Sequence, residues 1–309
     1  MEASSNVIAP AMVAASARRD ELRGLALAML GVALFSFSLP ATRLAVADLD
    51  PMFVSFGRAA VGAVFSVTLL RAWRSARPTR AQWRSLAIVA FGVVIGFPLL
   101  VALALRHVDS SHGAVVIALL PACTAVFAVL RAGEQPSRGF WLAAGAGLIA
   151  VLAFIASQGI GEIGLADLEL LVGTVICALA YAEGGALSRA LGGPQTICWA
   201  LVLAAPLTVP VALAFLPGGH VGTDAWLGFA YVSLISMFLA FFAWYAGLAL
   251  GGVAKAGQTQ LFQTPLTLAL SALVLSEHVP ALAVACTIAV LASIVGTQRA
   301  RVERREPAG

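Results

Sequence analysis

Several polar side chains that could bind a small molecule lie inside long apolar stretches of this sequence. Glu183 is deep within one of them, where it could carry a coupling proton, hold an amino group of a cargo, or form a structural ion pair, for example with Arg189. Gln260 and Gln263 are spaced to share one face of a helix. Because primary amides donate and accept hydrogen bonds without carrying charge, these two could bind a zwitterionic or hydroxylated molecule, or they could join neighbouring helices.

Hydroxyl and aromatic side chains accompany these residues. The candidate substrate-binding residues are Glu183, Gln260, Gln263, Ser36, Ser38, Tyr181, Trp244 and Phe97. A site walled by aromatic rings with few charges favours a partly apolar ligand over a highly charged one. Consecutive aromatic residues such as Trp244 and Tyr245 cannot all face one site, so some of them are predicted to pack or to face lipid.

Four further residues could support transport. Histidine is the side chain that most readily exchanges a proton under physiological conditions, so His112 is, with Glu183, a candidate for coupling, although a histidine at the edge of an apolar run can simply be hydrated. Arg58 lies about seven residues inside an apolar run, where it could be a structural charge that pairs with a backbone carbonyl or an acidic residue, or could bind the cargo. Pro121 and Pro265 each remove a helical hydrogen bond and are predicted to be paired hinges.

The composition places these residues in a membrane. Of 309 residues, 61% are apolar and 11% charged, and the mean hydropathy is +0.95. A chain with so little polar surface is expected to be integral to a bilayer. The net charge of +4 does not predict nucleic-acid binding, because the aromatic residues lie inside the apolar stretches. No spacing typical of metal ligands is present, and no cofactor is predicted.

Ten apolar runs follow one another along the chain. They lie near Gly24–Val46, Met52–Leu70, Leu86–Leu105, Gly113–Leu130, Phe140–Ile155, Leu168–Leu187, Thr196–Phe215, Trp226–Leu248, Gly257–Leu275 and Leu282–Val295. A helix needs about 20 residues to cross the hydrocarbon core, so these runs leave only short connectors. Because the runs are continuous rather than alternating, they predict helices. The expected fold is an all-α integral membrane protein with ten transmembrane helices.

Positive charge predicts how the helices are oriented. With the N-terminus inside, the cytoplasmic side receives most of the basic residues: Arg18, Arg19, Arg23, Arg71, Arg74, Arg77, Arg80, Arg84, Arg131, Arg138, Arg189, Lys255, Arg299, Arg301, Arg304 and Arg305. The opposite side receives Asp48, Asp50, Asp109, Glu162, Asp167, Asp224 and Glu277. The positive-inside rule then makes both termini cytoplasmic. We expect a multi-pass protein of a bacterial-type inner membrane.

The two halves of the chain repeat one pattern. The evenly spaced residues Val108, Pro121 and Glu134 recur as Val253, Pro265 and Glu277. Each half holds five runs, and because five is odd the second copy must enter the membrane inverted. The predicted domains are a cytoplasmic tail at 1–23, two five-helix repeats at 24–156 and 157–297, and a basic cytoplasmic tail at 298–309.

At these residues the chain resembles the EamA-type branch of the drug/metabolite transporter superfamily. The resemblance covers roughly residues 24 to 297. It is carried by Ala104-Leu105 through Val108, Pro121 and Gly133-Glu134, by Ala249-Leu250 through Val253, Pro265 and Ser276-Glu277, and by Arg58, where the family places an arginine. It implies a secondary carrier with a cavity lined by runs 1, 3, 4, 6, 8 and 9. Relatives export amino acids, and others carry nucleotide sugars or cationic drugs.

The sequence therefore predicts an exporter of small metabolites, most simply aromatic or other neutral amino acids, that works by alternating access. An exporter of cationic drugs or guanidinium-type compounds, with Glu183 as the cation partner, is the alternative within the superfamily. An intramembrane enzyme is disfavoured, because paired membrane aspartates and a zinc-protease motif are missing from the sequence. A non-transporting membrane protein is disfavoured by the duplicated unit. The expected partners are a small-molecule substrate and lipid, and the sequence indicates no particular oligomeric state.

Overall fold

The helices follow the apolar runs closely. The structure, a computed structural model, describes residues 5–157, 164–279, 281–300 and 302–304. In this part of the chain ten helical rods can be numbered α1 to α10 after the ten runs. Short polar connectors join them.

The first five rods have these bounds. α1 comprises Ser5–Phe35 and Ser38–Asp48, α2 is Pro51–Ala72, and α3 comprises Arg80–Val89, a π-helical segment Ala90–Gly96 and Phe97–Ala104. α4 comprises Ser110–Ile117 and Leu120–Ala132, and α5 is Arg138–Ser157.

The second five rods have these bounds. α6 is Leu165–Leu191, α7 is Gly193–Ala214, and α8 comprises Thr223–Ala230, a π-helical segment Tyr231–Leu239 and Ala240–Gly251. α9 comprises Val253–Gly257, a 3-10 segment Gln258–Phe262 and Gln263–Leu275, and α10 is Ala281–Arg299.

Within the part of the chain that the structure describes, seven rods are found to be long and apolar enough to cross a membrane: α1, α2, α3, α4, α6, α7 and α8. α9 begins with polar residues, Lys255, Gln258, Gln260 and Gln263, which lower its mean hydropathy. In α10 the apolar stretch is shorter, Val284–Thr297. The structure thus has helices at all ten predicted places, while ten crossings remain a prediction.

Four of the five interrupted rods of the described chain form two equivalent pairs, whereas the break in α1 between Phe35 and Ser38 has no counterpart in α6. α3 and α8, which are equivalent in the two halves, each contain a π-helical segment in the middle. α4 breaks between Ile117 and Leu120, just before Pro121 takes its place in the helix, and α9 passes through a 3-10 segment just before Pro265. Such distortions place backbone and side chains away from regular helical positions, and π-helical segments are frequent at functional sites.

Helix packing joins the two halves throughout. α1 packs on α8 and α3 on α6, while α2 packs on α7, α4 on α9 and α5 on α10. Because the repeat relates α1 to α6 and α3 to α8, the contact of α1 with α8 is equivalent to that of α6 with α3. Each of the other three contacts joins two helices that are equivalent to each other. Glycine allows the close approaches: a Cβ at Gly92 in α3 would lie 2.4 Å from the Cβ of Ala180 in α6, and one at Gly24 in α1 would lie 2.3 Å from the backbone of Gly251 in α8.

The terminal segments differ from the expected tails. The first helix begins at Ser5, upstream of Gly24, because residues 5–23 are rich in alanine, the strongest helix former. At the other end Val302–Arg304 (β2) pairs antiparallel with Glu134–Pro136 (β1), which follows α4. The described part of the basic C-terminal tail is therefore tied to the first half of the protein.

Candidate functional site

A pair of carboxylates fixes the two rods that contain the repeated prolines. Glu134, at the end of α4, accepts hydrogen bonds from the backbone N–H groups of Val253 (2.7 Å) and Ala254 (2.6 Å), the first residues of α9. The side chain of Glu134 is buried. It therefore caps the N-terminus of a helix in the other repeat, where free N–H groups and the helix dipole favour a negative charge.

The equivalent carboxylate does the same at the other end. Glu277, at the end of α9, accepts hydrogen bonds from the N–H groups of Ser110 (3.0 Å) and Ser111 (2.9 Å), which begin α4. The Ser110 hydroxyl is within 2.9 Å of the same carboxylate. Since the end of each rod meets the start of the other, α4 and α9 are antiparallel, as an inverted repeat requires.

Between these two caps the bundle encloses a central cavity. Its free volume for water-sized molecules is about 40 Å³, so the walls must move apart to admit a larger cargo. The walls come from both repeats: α1, α2 and α3 from the first half, and α6, α8 and α9 from the second half. A smaller, adjoining space shares Leu39, Gln260 and Gln263 and adds residues of α4. The family resemblance implied all of these rods except α2, which contributes Arg58.

Arg58 brings a positive charge to this cavity. Its side chain is 7% exposed and lies in α2 two turns after the start of the helix. One guanidinium nitrogen, Nη2, donates to the hydroxyl of Ser236 in α8 at 2.9 Å, and that hydroxyl accepts a second hydrogen bond from Ser38 in α1 at 2.7 Å. On insertion scales, a charged side chain at membrane depth costs about 2.5 to 3.5 kcal/mol. A buried arginine at this depth is therefore expected to have a structural or functional role.

Amide and phenol groups on α9 and α6 also line this cavity. Gln260 Nε2 donates to Gln263 Oε1 at 3.2 Å and reaches the hydroxyl of Tyr181 at 3.5 Å. Gln260 Oε1 is buried and, within the described chain, has no hydrogen-bond partner. All three residues line the cavity. The cavity thus offers an uncharged set of donors and acceptors as well as one cation.

Aromatic rings form the apolar part of the wall. Phe35, Phe97 and Phe241 line the cavity, and Phe35 and Phe241 pack edge to face with centroids 4.9 Å apart. Tyr181 and Phe241 lie 6.1 Å apart. Such a wall can bury an apolar side chain beside the polar groups.

Two predicted substrate-binding residues lie next to the cavity rather than in its wall. Ser36 is fully buried, donates its hydroxyl to the carbonyl of Val32, and accepts at its own carbonyl from Thr267 in α9. Trp244 is also fully buried and packs against Tyr181 with centroids 5.2 Å apart. Both residues support wall residues, whereas Ser38, Phe97, Tyr181, Gln260 and Gln263 are in the wall.

Glu183 lies away from the central cavity, near the end of the bundle that carries most of the basic loops, here called the basic end. Arg131 Nε at the end of α4 donates to Glu183 Oε2 at 2.7 Å, and the Ser85 hydroxyl in α3 donates to Oε1 at 2.5 Å. The geometry thus matches the structural ion pair, with Arg131 as the partner in place of Arg189. Arg189 instead lies 4.0 Å from Glu134.

His112 lies at the opposite end of the bundle. Its Nε2 is 2.7 Å from Asp167 Oδ1, which joins the start of α4 to the start of α6. Asp167 also accepts from the N–H of Gly164 and so helps to begin α6. The histidine is therefore partnered rather than simply hydrated, and its coupling role remains a prediction.

Pro121 and Pro265 sit beside the interruptions of α4 and α9. The carbonyl of Pro121 accepts a hydrogen bond from Gln258 Nε2 in α9 at 3.0 Å, so the break in α4 is tied to the other repeat. The side chain of Gln258 is buried. Motion about these prolines remains a prediction.

Sequence reasoning missed two polar wall residues and one pairing. Thr42 and Ser236 line the cavity, and Ser236 links Arg58 to Ser38. Small hydroxyl residues recur in apolar helices because they bond their own backbone, as Thr42 does with the carbonyl of Ser38. A hydroxyl within an apolar run therefore gives little warning that it faces a cavity.

A second, larger cavity opens at the end opposite the basic end, with a free volume of about 510 Å³. It is lined by α1, the connector between α3 and α4, and the end of α9, and it contains Arg43, Arg106, Asp109 and Glu277. Arg43 donates to the carbonyl of Leu105 and lies 3.6 Å from Asp109. These contacts hold the connector against α1.

Comparison with protein families agrees with the duplication. A model of the EamA-like transporter family matches this chain twice, at residues 22–156 and again at 164–298. The chain belongs to the EamA-like transporter family. The resemblance drawn from the spaced proline and glutamate residues is thereby confirmed, as are two repeats and a place among the drug/metabolite transporters. The chain is a multi-pass helical membrane protein of a transporter family.

Two individual proteins are similar over most of the chain. The uncharacterized transporter YdeK of Bacillus subtilis (strain 168) is 49% identical over 272 residues, which are 87% of this chain and 95% of that protein. A solved structure, described only as the crystal structure of a protein, matches with a TM-score of 0.69 at 15% identity, over 89% of this chain and 98% of that chain. The second match supports the fold alone.

Proposed function

We propose that this EamA-like protein exports small neutral amino acids, aromatic or aliphatic, across a bacterial-type inner membrane by alternating access. The observation that carries the proposal is the central cavity, where polar and aromatic side chains from both repeats meet. Secondary transporters built from inverted repeats bind their cargo at the repeat interface near the middle of the membrane.

The chemistry of the wall suits an amino acid. Gln260, Gln263 and Ser38 offer hydrogen bonds without charge, and the rings of Phe97 and Phe241 offer an apolar surface for a side chain. A nucleotide sugar would bring two phosphates, and Arg58 is the single cation among the described residues that line the cavity. A small, singly charged or zwitterionic cargo is the better fit.

The same lining disfavours the cation exporter. That alternative depended on Glu183 as the partner of a cationic drug, and Glu183 is engaged with Arg131 and Ser85 outside the cavity. A cation in the cavity would instead meet the like charge of Arg58.

The proposed topology has ten crossings with both termini in the cytoplasm, so that the basic end faces the cytoplasm. Polar ties close the bundle at both ends. Glu134 and Glu183 act at the basic end, while Glu277 and Asp167 act at the opposite end. Alternating access then requires that one set of ties opens while the other holds, with α4 and α9 bending near Pro121 and Pro265.

The experiment is efflux and counterflow from proteoliposomes that contain the purified full chain. Labelled L-phenylalanine, L-leucine and L-threonine are compared with guanidinium and with a nucleotide sugar. We expect at least one neutral amino acid to move faster than in protein-free liposomes, and the other two classes to move no faster than in those liposomes. Flux of guanidinium alone, or of none of these compounds, would refute the proposal.

A matched pair of variants ties the flux to the cavity. Gln260→Leu removes an amide from the wall and is expected to lower amino-acid flux about 3- to 10-fold, since a hydrogen bond contributes about 0.5 to 1.5 kcal/mol. Gln135→Leu makes the same change at an exposed position of β1 at the basic end and should leave flux unchanged.

A further inference from the structure

We propose that Arg58 is the receptor for a carboxylate group of the cargo, so that the protein selects compounds with one free carboxylate. The inference rests on the proposed function, because it assigns chemistry to the same cavity. It differs from the structural interpretation suggested by the sequence, in which Arg58 pairs with a carbonyl or an acidic residue.

The contacts of Arg58 leave its charge uncompensated. Its one hydrogen bond within the described chain runs from Nη2 to the neutral hydroxyl of Ser236. Nε is buried and has no partner among the described residues. No carboxylate of the described chain comes within 4.0 Å of the guanidinium, whereas three other arginines of the described chain, Arg43, Arg131 and Arg189, each meet a carboxylate within that distance.

An arginine with a purely structural role is expected to contact a carboxylate. Arg131, for example, meets Glu183, and Arg43 meets both a carbonyl and Asp109. A buried charge is costly unless a partner of opposite sign is present. Because Arg58 lines the central cavity, a bound ligand can be that partner.

A carboxylate is the ligand that fits this arrangement. The planar guanidinium presents donors that match the two oxygens of a carboxylate, and such charge-assisted pairs are stronger than neutral hydrogen bonds. Ser236 accepts from Arg58 and from Ser38, so its hydroxyl proton is left to donate to the same anion.

A second unpartnered atom fits the other end of an amino acid. Gln260 Oε1, which also belongs to a wall residue, is buried and has no partner among the described residues. It is an acceptor, whereas Arg58 Nε is a donor. An ammonium group satisfies the first atom and a carboxylate the second, so the cavity carries one open contact for each end of a zwitterion.

The test measures selectivity between matched ligands. Counterflow of labelled L-phenylalanine is competed with unlabelled L-phenylalanine, L-phenylalaninamide and 3-phenylpropionate, and labelled L-leucine with L-leucine and L-leucinamide. For the unaltered protein we expect each amino acid to compete about 10-fold or more better than its amide, as for loss of a charge-assisted hydrogen bond. 3-Phenylpropionate, which keeps the carboxylate and lacks the ammonium, should lie between the two.

Substitutions of two arginines in α2 test whether Arg58 determines the selectivity. Arg58→Gln should bring the ratio of amide to acid close to one, and Arg58→Lys should retain part of the preference because it keeps the charge. Arg71→Gln removes an exposed arginine near the end of the same helix and should leave the ratio unchanged. If Arg58→Gln does not fold, the assignment is tested by the amide-to-acid ratio of Arg58→Lys and by the ligand series on the unaltered protein.

Equal competition by acid and amide in the unaltered protein would overturn the assignment to Arg58 while leaving amino-acid export standing. So would a ratio that Arg58→Lys leaves unchanged, or one that Arg71→Gln lowers as much as Arg58→Gln does. If none of these compounds moves or competes, the proposed function itself fails.

Discussion

At the scale of single residues, the ion pair of Glu183 shows how a buried charge in a transporter can be structural. Its side chain is 9% exposed, while that of Arg131 is 44% exposed. The sequence identifies a carboxylate inside an apolar run, but Arg131 lies on another helix and Ser85 on a third. A distant partner of this kind leaves no spacing pattern that sequence reasoning could use.

Glu183→Gln is expected to lower thermal stability without changing substrate preference. It removes the charge that holds the ends of α4 and α6 together, at a cost of about 1 kcal/mol, because Arg131 is partly solvated. A double-mutant cycle with Arg131→Gln, measured as unfolding in detergent, should give a coupling energy of this size. A change in the ratio of substrates transported, with thermal stability unaltered, would indicate that Glu183 takes part in substrate selection.

Two equivalent turns differ in one residue. Gly133 ends α4 with φ of 67° and Ser276 ends α9 with φ of 54°, and each precedes one of the capping glutamates. The left-handed conformation costs a non-glycine residue about 1 to 2 kcal/mol. The sequence shows that Gly133 and Ser276 occupy equivalent positions. The strain at Ser276 is seen only in the backbone conformation of the structure.

Ser276→Gly is expected to raise thermal stability slightly, by less than about 1 kcal/mol, because relief of the backbone strain is partly offset by the greater freedom of glycine in the unfolded chain. Gly133→Ser should lower it by about 1 kcal/mol. A Cβ at Gly133 would meet no atom within 4 Å, so crowding plays no part. Equal melting temperatures for the parent and both variants would contradict this interpretation.

At the scale of elements, α4 and α9 are held at both ends by the carboxylates that the sequence repeats. The spacing of proline and glutamate reveals that these rods are equivalent. It does not reveal that each glutamate caps the other rod, because the partner N–H groups carry no side-chain signature. The π-helical segments of α3 and α8 were likewise absent from the prediction, since their sequences resemble those of ordinary apolar helices.

Glu277→Gln is expected to open the end opposite the basic end, and Glu134→Gln the basic end. Each change replaces a carboxylate that accepts two backbone hydrogen bonds with an amide that accepts fewer, a loss of about 1 to 3 kcal/mol. The measurement is labelling of Ser38→Cys, in a background without the native cysteines, by an impermeant maleimide added from either side. Glu277→Gln should raise labelling from outside and Glu134→Gln labelling from inside.

The two variants are controls for each other. Labelling that rises equally from both sides in both variants would indicate general loosening, and labelling that stays unchanged would remove the carboxylates from gating.

At the scale of the whole molecule, the apolar runs and loop charges predicted the helices and their order. The antiparallel contact of α4 and α9 agrees with the inversion that five runs per half require. The site was predicted in part. Its glutamines, one serine and two of its aromatic residues were named, but the placement of Arg58 and Ser236 depends on packing between helices that are far apart in sequence.

The central claim is that cargo passes through the cavity between the repeats. Modification of Ser38→Cys in proteoliposomes tests it most directly, with Ala76→Cys, in the exposed basic loop, as the matched control. Complete labelling of Ser38→Cys should abolish amino-acid counterflow, and bound substrate should slow the labelling, whereas labelling of Ala76→Cys should do neither. Full counterflow after complete labelling of Ser38→Cys would contradict the claim.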